Sequence, residues 1–144
     1  MVSAASAPLT EERVSSRRLL WVGPLAIVAS VIANQIVRIL AVSLFNISPE
    51  FMPLQIGPPI AFTIMGVLGA VIVYAIIGRL SRRPIRLFRV IALIVLVLSF
   101  IPDIGLLMTG MIPGTSPVAV GTLASMHIVA WAITVWMLTT LARE

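Results

Sequence analysis

Four apolar runs constrain this chain more than any other feature. Residues 19–45, 58–80, 87–109 and 117–141 each reach the roughly 20 residues that an α-helix needs to cross a hydrocarbon core. A bilayer offers backbone amides no water, so a spanning segment satisfies its N–H and C=O groups within itself, and each run reads as a helix. The predicted fold is an all-α, up-and-down bundle of four transmembrane helices, with antiparallel neighbours joined by short loops. Composition agrees: 60% of the 144 residues are hydrophobic, 10% are charged and the mean hydropathy is +1.14, far outside the range of a soluble domain. That length suits one bundle. Residues 1–18 are expected to form a cytoplasmic tail, in which Thr10, Glu11 and Glu12 start a short helix. Residues 19–144 form a single membrane domain.

Charge then orients the runs. All ten basic residues are arginine, and the formal net charge is +5. A cationic balance can point to nucleic acid, but the placement points to a membrane. Arg13, Arg17 and Arg18 precede the first run, Arg79, Arg82, Arg83, Arg86 and Arg89 surround the middle connection, and Arg143 follows the last run. The connections at 46–57 and 110–116 hold none. By the positive-inside rule both termini and the middle connection are cytoplasmic, as an even number of spans requires. The expected location is a cytoplasmic membrane, with the middle arginines against anionic headgroups, each attracted by about 1 kcal/mol.

Several chemistries are closed by residue counts. With no cysteine there is no disulfide, thiolate metal site or thiol nucleophile, and with one histidine no multi-histidine metal site forms within one chain. The sequence requires no cofactor; a pigment or haem held by His127, near Trp131 on the same face, is the one option the residues leave open.

The costly residues lie inside the runs. Ser30, Asn34 and Arg38 are spaced i, i+4, i+8 and share one face of the first helix, and a lone charge in hydrocarbon costs several kcal/mol unless it is paired or reaches water. Counting about 1.5 Å per residue places Arg38 roughly 9 Å, Asp103 roughly 7 Å and His127 roughly 3 Å outward of the middle of their spans. The shared level predicts an Arg38–Asp103 ion pair, with Asn34, Ser99 and His127 completing its hydrogen bonds. Two readings compete: a clamp that fixes helix register, or a ligand or proton site opening outward.

Small residues mark faces where helices approach closely: Ala26, Ala29, Ser30 and Ala33 in the first run, Gly66 and Ala70 in the second, Gly121 and Ser125 in the fourth. Gly23-Pro24 is a point where the first helix can kink or restart. The connection at 46–57 carries Phe51, Met52, Leu54 and Ile56 beside one charge, Glu50, so it should lie on the membrane surface or against a partner. At the last span Ser116 reads as an N-cap and Pro117 as the first helical residue.

Taken together, Ala33-Asn34-Gln35-Ile36-Val37-Arg38-Ile39-Leu40-Ala41, Ser99-Phe100-Ile101-Pro102-Asp103, Gly114-Thr115-Ser116-Pro117-Val118-Ala119 and Ser125-Met126-His127-Ile128-Val129-Ala130 resemble an uncharacterised family of small bacterial four-span membrane proteins, a domain of unknown function. The resemblance spans residues 22–143 and implies a compact four-helix membrane unit, with no activity or cofactor attached. An enzyme is not expected, because no motif links Asp103, His127 and the few intramembrane hydroxyls. The expected role is a non-enzymatic interaction protein, self-associating or accessory to a larger membrane complex. The alternative is a small transporter or channel component that uses the Arg38, Asp103 and His127 set and oligomerises to enclose a pathway.

Overall fold

The computed structural model describes residues 13–144; the helix start expected at Thr10 to Glu12 lies outside the described residues. Four helices follow one another: α1 (Ser16–Phe45), α2 (Gly57–Leu80), α3 (Pro84–Thr109) and α4 (Pro117–Leu141), with one 3-10 turn, Met52–Leu54, in the first connection. Their ends carry the expected chemistry. Ser116 Oγ accepts from the backbone N–H of Ala119 at 3.1 Å and so caps α4. Pro84 and Pro117 open α3 and α4, where a missing N–H has no intrahelical partner to lose. Asn46 (φ 49°) and Gly110 (φ 59°) close α1 and α3 in the left-handed conformation that ends a helix. α1 continues through Pro24 and α3 through Pro102.

The helices form a ring. α1 packs along α4 and α2, and α3 closes the ring between α2 and α4. α2 and α4 also meet across the middle, whereas α1 and α3 occupy the other diagonal and make no substantial contact. All four helices are long and apolar enough to cross a membrane, so the chain is an all-α, up-and-down membrane bundle, and large aliphatic side chains cover its outside in the manner of a lipid-facing surface.

The two ends differ. At one, the described termini are fastened side by side: Val14 and Arg143 form an antiparallel bridge, Ser15 N–H donates to Ala142 O at 2.9 Å, and Glu144 N–H donates to Arg13 O at 3.0 Å. Arg18 adds a bond from Nη1 to Arg143 O at 2.8 Å. The α2–α3 connection lies at this end too, so every arginine except Arg38 gathers here. Arg79, Arg82, Arg83, Arg86 and Arg89 are all exposed, and Arg89 also donates from Nη2 to Thr139 Oγ1 on α4 at 3.2 Å.

At the opposite end the apolar connection 46–56 folds back onto the helices instead of only spreading over a surface. Ile47, Phe51 and Leu54 are buried with Ala41, Ala119, Val120 and Met126, while Met52 and Ile56 stay exposed. The second connection lies directly on this strap. A Cβ at Gly114 would stand 2.8 Å from Ser48 Cβ and 3.0 Å from the backbone N of Phe51. A second apolar cluster, containing Val22, Ala26, Tyr74, Phe88 and Leu138, fills the bundle at the arginine-rich end.

Small residues divide between inner and outer faces. Ala26 is fully buried and Ala29, Ala33 and Ala70 are half-buried, but Gly66, Gly121 and Ser125 are exposed. A Cβ at Gly66 or Gly121 would meet nothing within 4 Å, and Ser125 Oγ bonds back to Gly121 O at 2.8 Å. These three do not serve packing within the chain. Spacing of small residues defines a face, and the ring order decides which way that face turns.

Candidate functional site

The interior also carries polar groups. Ser30 and Asn34 on α1, Thr63 on α2, Asp103 on α3 and Thr134 on α4 are buried, with Ser30 at 0% and Asn34 at 3% exposure. Each lies on an inward face because its neighbours one turn away are core residues, Ala26 for Ser30 and Val67 for Thr63. Asn34 Nδ2 donates to Thr63 Oγ1 at 2.9 Å, a bond that ties α1 to α2. Asp103 faces α4, where its Oδ2 lies 3.9 Å from His127 Nε2. That separation is within ion-pair range and too long for a hydrogen bond. The ring of Phe100, on α3, lies nearly parallel to the His127 imidazole with centroids 6.3 Å apart. The imidazole is thus bordered by an acid and an aromatic face of one helix.

Several of the buried polar groups are under-satisfied among the described residues. Ser30 Oγ, Asn34 Oδ1, Gln35 Nε2, Asp103 Oδ2, His127 Nδ1, Trp131 Nε1 and Thr134 Oγ1 are buried atoms without a hydrogen-bond partner. Native interiors leave few such groups, and each unmade bond costs about 1–3 kcal/mol.

Arg38 does not belong to this set. The expected Arg38–Asp103 pair is not formed, because α1 and α3 sit on opposite corners of the ring. Arg38 Nε instead donates to the backbone oxygen of Leu54, in the strap, at 2.5 Å. Ser99 also departs from the expected cluster: it is half-buried and its Oγ bonds to Leu96 O of its own helix at 2.6 Å. Of the six residues expected to meet, the structure brings together Asp103 and His127, buries Ser30 and Asn34 on the inner face of α1 with Asn34 bonded to Thr63 instead, and separates Arg38 and Ser99.

Sequence reasoning missed the partners that carry no charge. Thr63, the Leu54 carbonyl and Thr134 are ordinary in an apolar chain, and only Thr63 had a legible signal, a hydroxyl amid aliphatic residues on the helix next to Asn34. Arg38 lines a cavity of about 480 Å³ against the strap, walled by Val42, Ile47, Ser48, Phe51, Gln55 and Ile56.

No curated protein and no solved structure matches this chain. A family model does, over residues 11–144. With that match running through all four helices and both connections that shape the site, the chain belongs to the family of unknown function DUF6069.

Proposed function

We propose that the protein is a non-enzymatic component of the bacterial cytoplasmic membrane, with both termini cytoplasmic, which associates through α3 with a helix of a second copy or of a larger membrane complex. One observation carries the reading. Only 6% of the most apolar 18-residue window of α3 is buried, against 22%, 22% and 28% for α1, α2 and α4. Lipid tails are as apolar as leucine, so burial in the bilayer alone does not hold a helix against its neighbours; close packing and polar contacts do. Yet α3 has to keep one rotation, since Asp103 must stay turned toward α4. A neighbour on its bare side would supply the packing that the chain does not. Ile101, Ile104 and Met108 are exposed there, and a Cβ at Gly105 would meet nothing within 4 Å.

The chain has no cysteine, so single introduced thiols report proximity cleanly. Ile101→Cys on α3 and Ile36→Cys on α1 are both exposed and lie at similar depth. On oxidation in native membranes, Ile101→Cys is expected to give a cross-linked dimer or a cross-link to another membrane protein, and Ile36→Cys none. Equal cross-linking from both faces, or none from α3, leaves α3 covered by lipid alone and ends this reading.

The under-satisfied interior favours one alternative, a transporter or channel component in which Asp103 and His127 take a proton or a polar ligand. Reconstituted vesicles should then show a flux that Asp103→Asn abolishes while the bundle stays folded. Undiminished flux in that variant removes the pair from any pathway.

A further inference from the structure

We propose that Arg38 and the strap above it form a binding site for an amphiphilic oxyanion, a carboxylate or phosphate carried on an apolar chain. The inference is independent of what packs against α3. It begins with an inventory of the guanidinium. Of its five N–H donors, the structure uses the one on Nε, bonded to Leu54 O. Arg38 makes no other hydrogen bond or ion pair among the described residues.

Among the described residues no carboxylate answers its charge. Asp103 lies across the bundle diagonal against His127, and Glu50, the sole acid of the strap, is exposed and does not line the cavity. A cation at this depth costs several kcal/mol unless it is paired or reaches water, and the half-buried Arg38 keeps its remaining N–H groups open to water or to an incoming anion.

The geometry specifies what that is. Anchoring Nε to a fixed carbonyl orients the guanidinium plane and leaves the Nη edge, the fork that binds carboxylate and phosphate oxygens in pairs. Around it the cavity wall is mainly apolar, with Ser48 and Gln55 as its uncharged polar members, and its volume of about 480 Å³ falls within the range of small-molecule sites. An inorganic anion would leave those walls unused, and a neutral hydrocarbon would leave the guanidinium unpaired. A molecule with an oxyanion at one end and an apolar body satisfies both. The strap is held for this purpose from two sides, by Phe51 and Leu54 packed in the bundle and by Gly114 of the second connection pressed on Ser48.

The test uses the purified chain in a nonionic detergent, titrated with dodecanoate, with dodecanol as its uncharged counterpart, with phosphatidylglycerol and with inorganic phosphate. Thermal unfolding reads affinity and native mass spectrometry reads stoichiometry. Wild type is expected to bind one dodecanoate or one phosphatidylglycerol, and dodecanol at least tenfold more weakly. The two arms separate the sources: a bilayer phosphodiester if phosphatidylglycerol binds more tightly, a free amphiphilic acid if dodecanoate does.

Arg38→Gln should lower the affinity at least tenfold. Arg38→Lys, which keeps the charge without the fork, and Val42→Phe, which fills the cavity and leaves Arg38 in place, should each lower it too and keep the proposal testable if Arg38→Gln does not fold. Several results overturn it: no binding of either amphiphile by wild type, dodecanol binding as tightly as dodecanoate, inorganic phosphate binding as tightly as either amphiphile, or Val42→Phe and Arg38→Lys both retaining wild-type affinity.

Discussion

Replacing Gly114 by alanine tests whether the two connections at the Arg38 end form one packed unit. Gly114 and Gly110 both have positive φ, 76° and 59°, so alanine at either position meets a left-handed strain of roughly 1–2 kcal/mol. Their surroundings differ. At Gly110 an added Cβ meets nothing within 4 Å, so strain is the whole cost. At Gly114 it would stand 2.8 Å from Ser48 Cβ and 3.0 Å from the Phe51 backbone N, well inside ordinary van der Waals contact. The Phe51 backbone has little room to withdraw, because Phe51 is 1% exposed and packed into the bundle. Overpacking of this kind adds roughly 1–3 kcal/mol, which brings Gly114→Ala to roughly 2–5 kcal/mol by the sum of the two effects. Unfolding by sodium dodecyl sulfate in mixed micelles, followed by helical circular dichroism, measures both variants. Adding Ser48→Gly to Gly114→Ala should recover part of the difference, since it removes the nearer contact and leaves the one at Phe51. Equal losses at Gly110 and Gly114 would refute the docking of the two connections, and with it the rigidity of the strap that presents Leu54 O to Arg38.

Further outcomes follow from the separated polar groups. Arg38→Gln and Asp103→Asn should combine additively, within about 0.5 kcal/mol, as non-contacting sites do; coupling beyond about 1 kcal/mol in a double-mutant cycle would restore the ion pair between them. The Asn34→Val and Thr63→Val cycle should show a coupling of about 0.6 kcal/mol and no more than about 1.7, the range of hydrogen bonds between membrane helices, read from the same unfolding titration. Trp131→Phe removes a buried donor that has no partner among the described residues, a relief that opposes the packing lost with the larger ring, so the net change in stability should stay within about 1 kcal/mol in either direction; a larger loss means that the indole N–H is bonded in the folded protein. Reporter fusions check orientation: a cytoplasmic-active reporter works after Glu144, and an exported-active one works when inserted at Thr115.

The fold was legible because membrane-helix formation depends on length and apolarity, which a sequence displays directly. The helices end at Phe45, Leu80, Thr109 and Leu141, where the apolar runs end, and Pro84, Ser116 and Pro117 mark the starts by local chemistry. The site was only half legible. Counting residues along a helix gives depth, and depth correctly raised the question of how Arg38, Asp103 and His127 are compensated. It gives no information about which helices are neighbours. Asp103 meets His127 because α3 adjoins α4, and misses Arg38 because α1 is diagonal to α3. The partner that Arg38 did find, the Leu54 carbonyl, belongs to every residue alike and so leaves no mark in a sequence.

That separation changes the energetic problem the bundle has to solve. A single Arg38–Asp103 pair would have cancelled two buried charges at once and left the interior closed to further chemistry. With the pair divided, each charge needs local compensation. Asp103 faces His127 on the neighbouring helix at 3.9 Å, within ion-pair range and too far for a hydrogen bond. Arg38 finds a carbonyl dipole, which orients the guanidinium without neutralising it, beneath a strap built from the apolar residues that a solvent-exposed loop would not carry. Placing the unanswered cation at the end where every other arginine is absent removes competition for an incoming anion and keeps the site distinct from the arginine cluster at the opposite end. Arg38 is therefore the residue at which binding of an anion is best sought, whereas Asp103 and His127, 3.9 Å apart and with Oδ2 and Nδ1 unbonded among the described residues, leave open positions for a proton or a polar ligand.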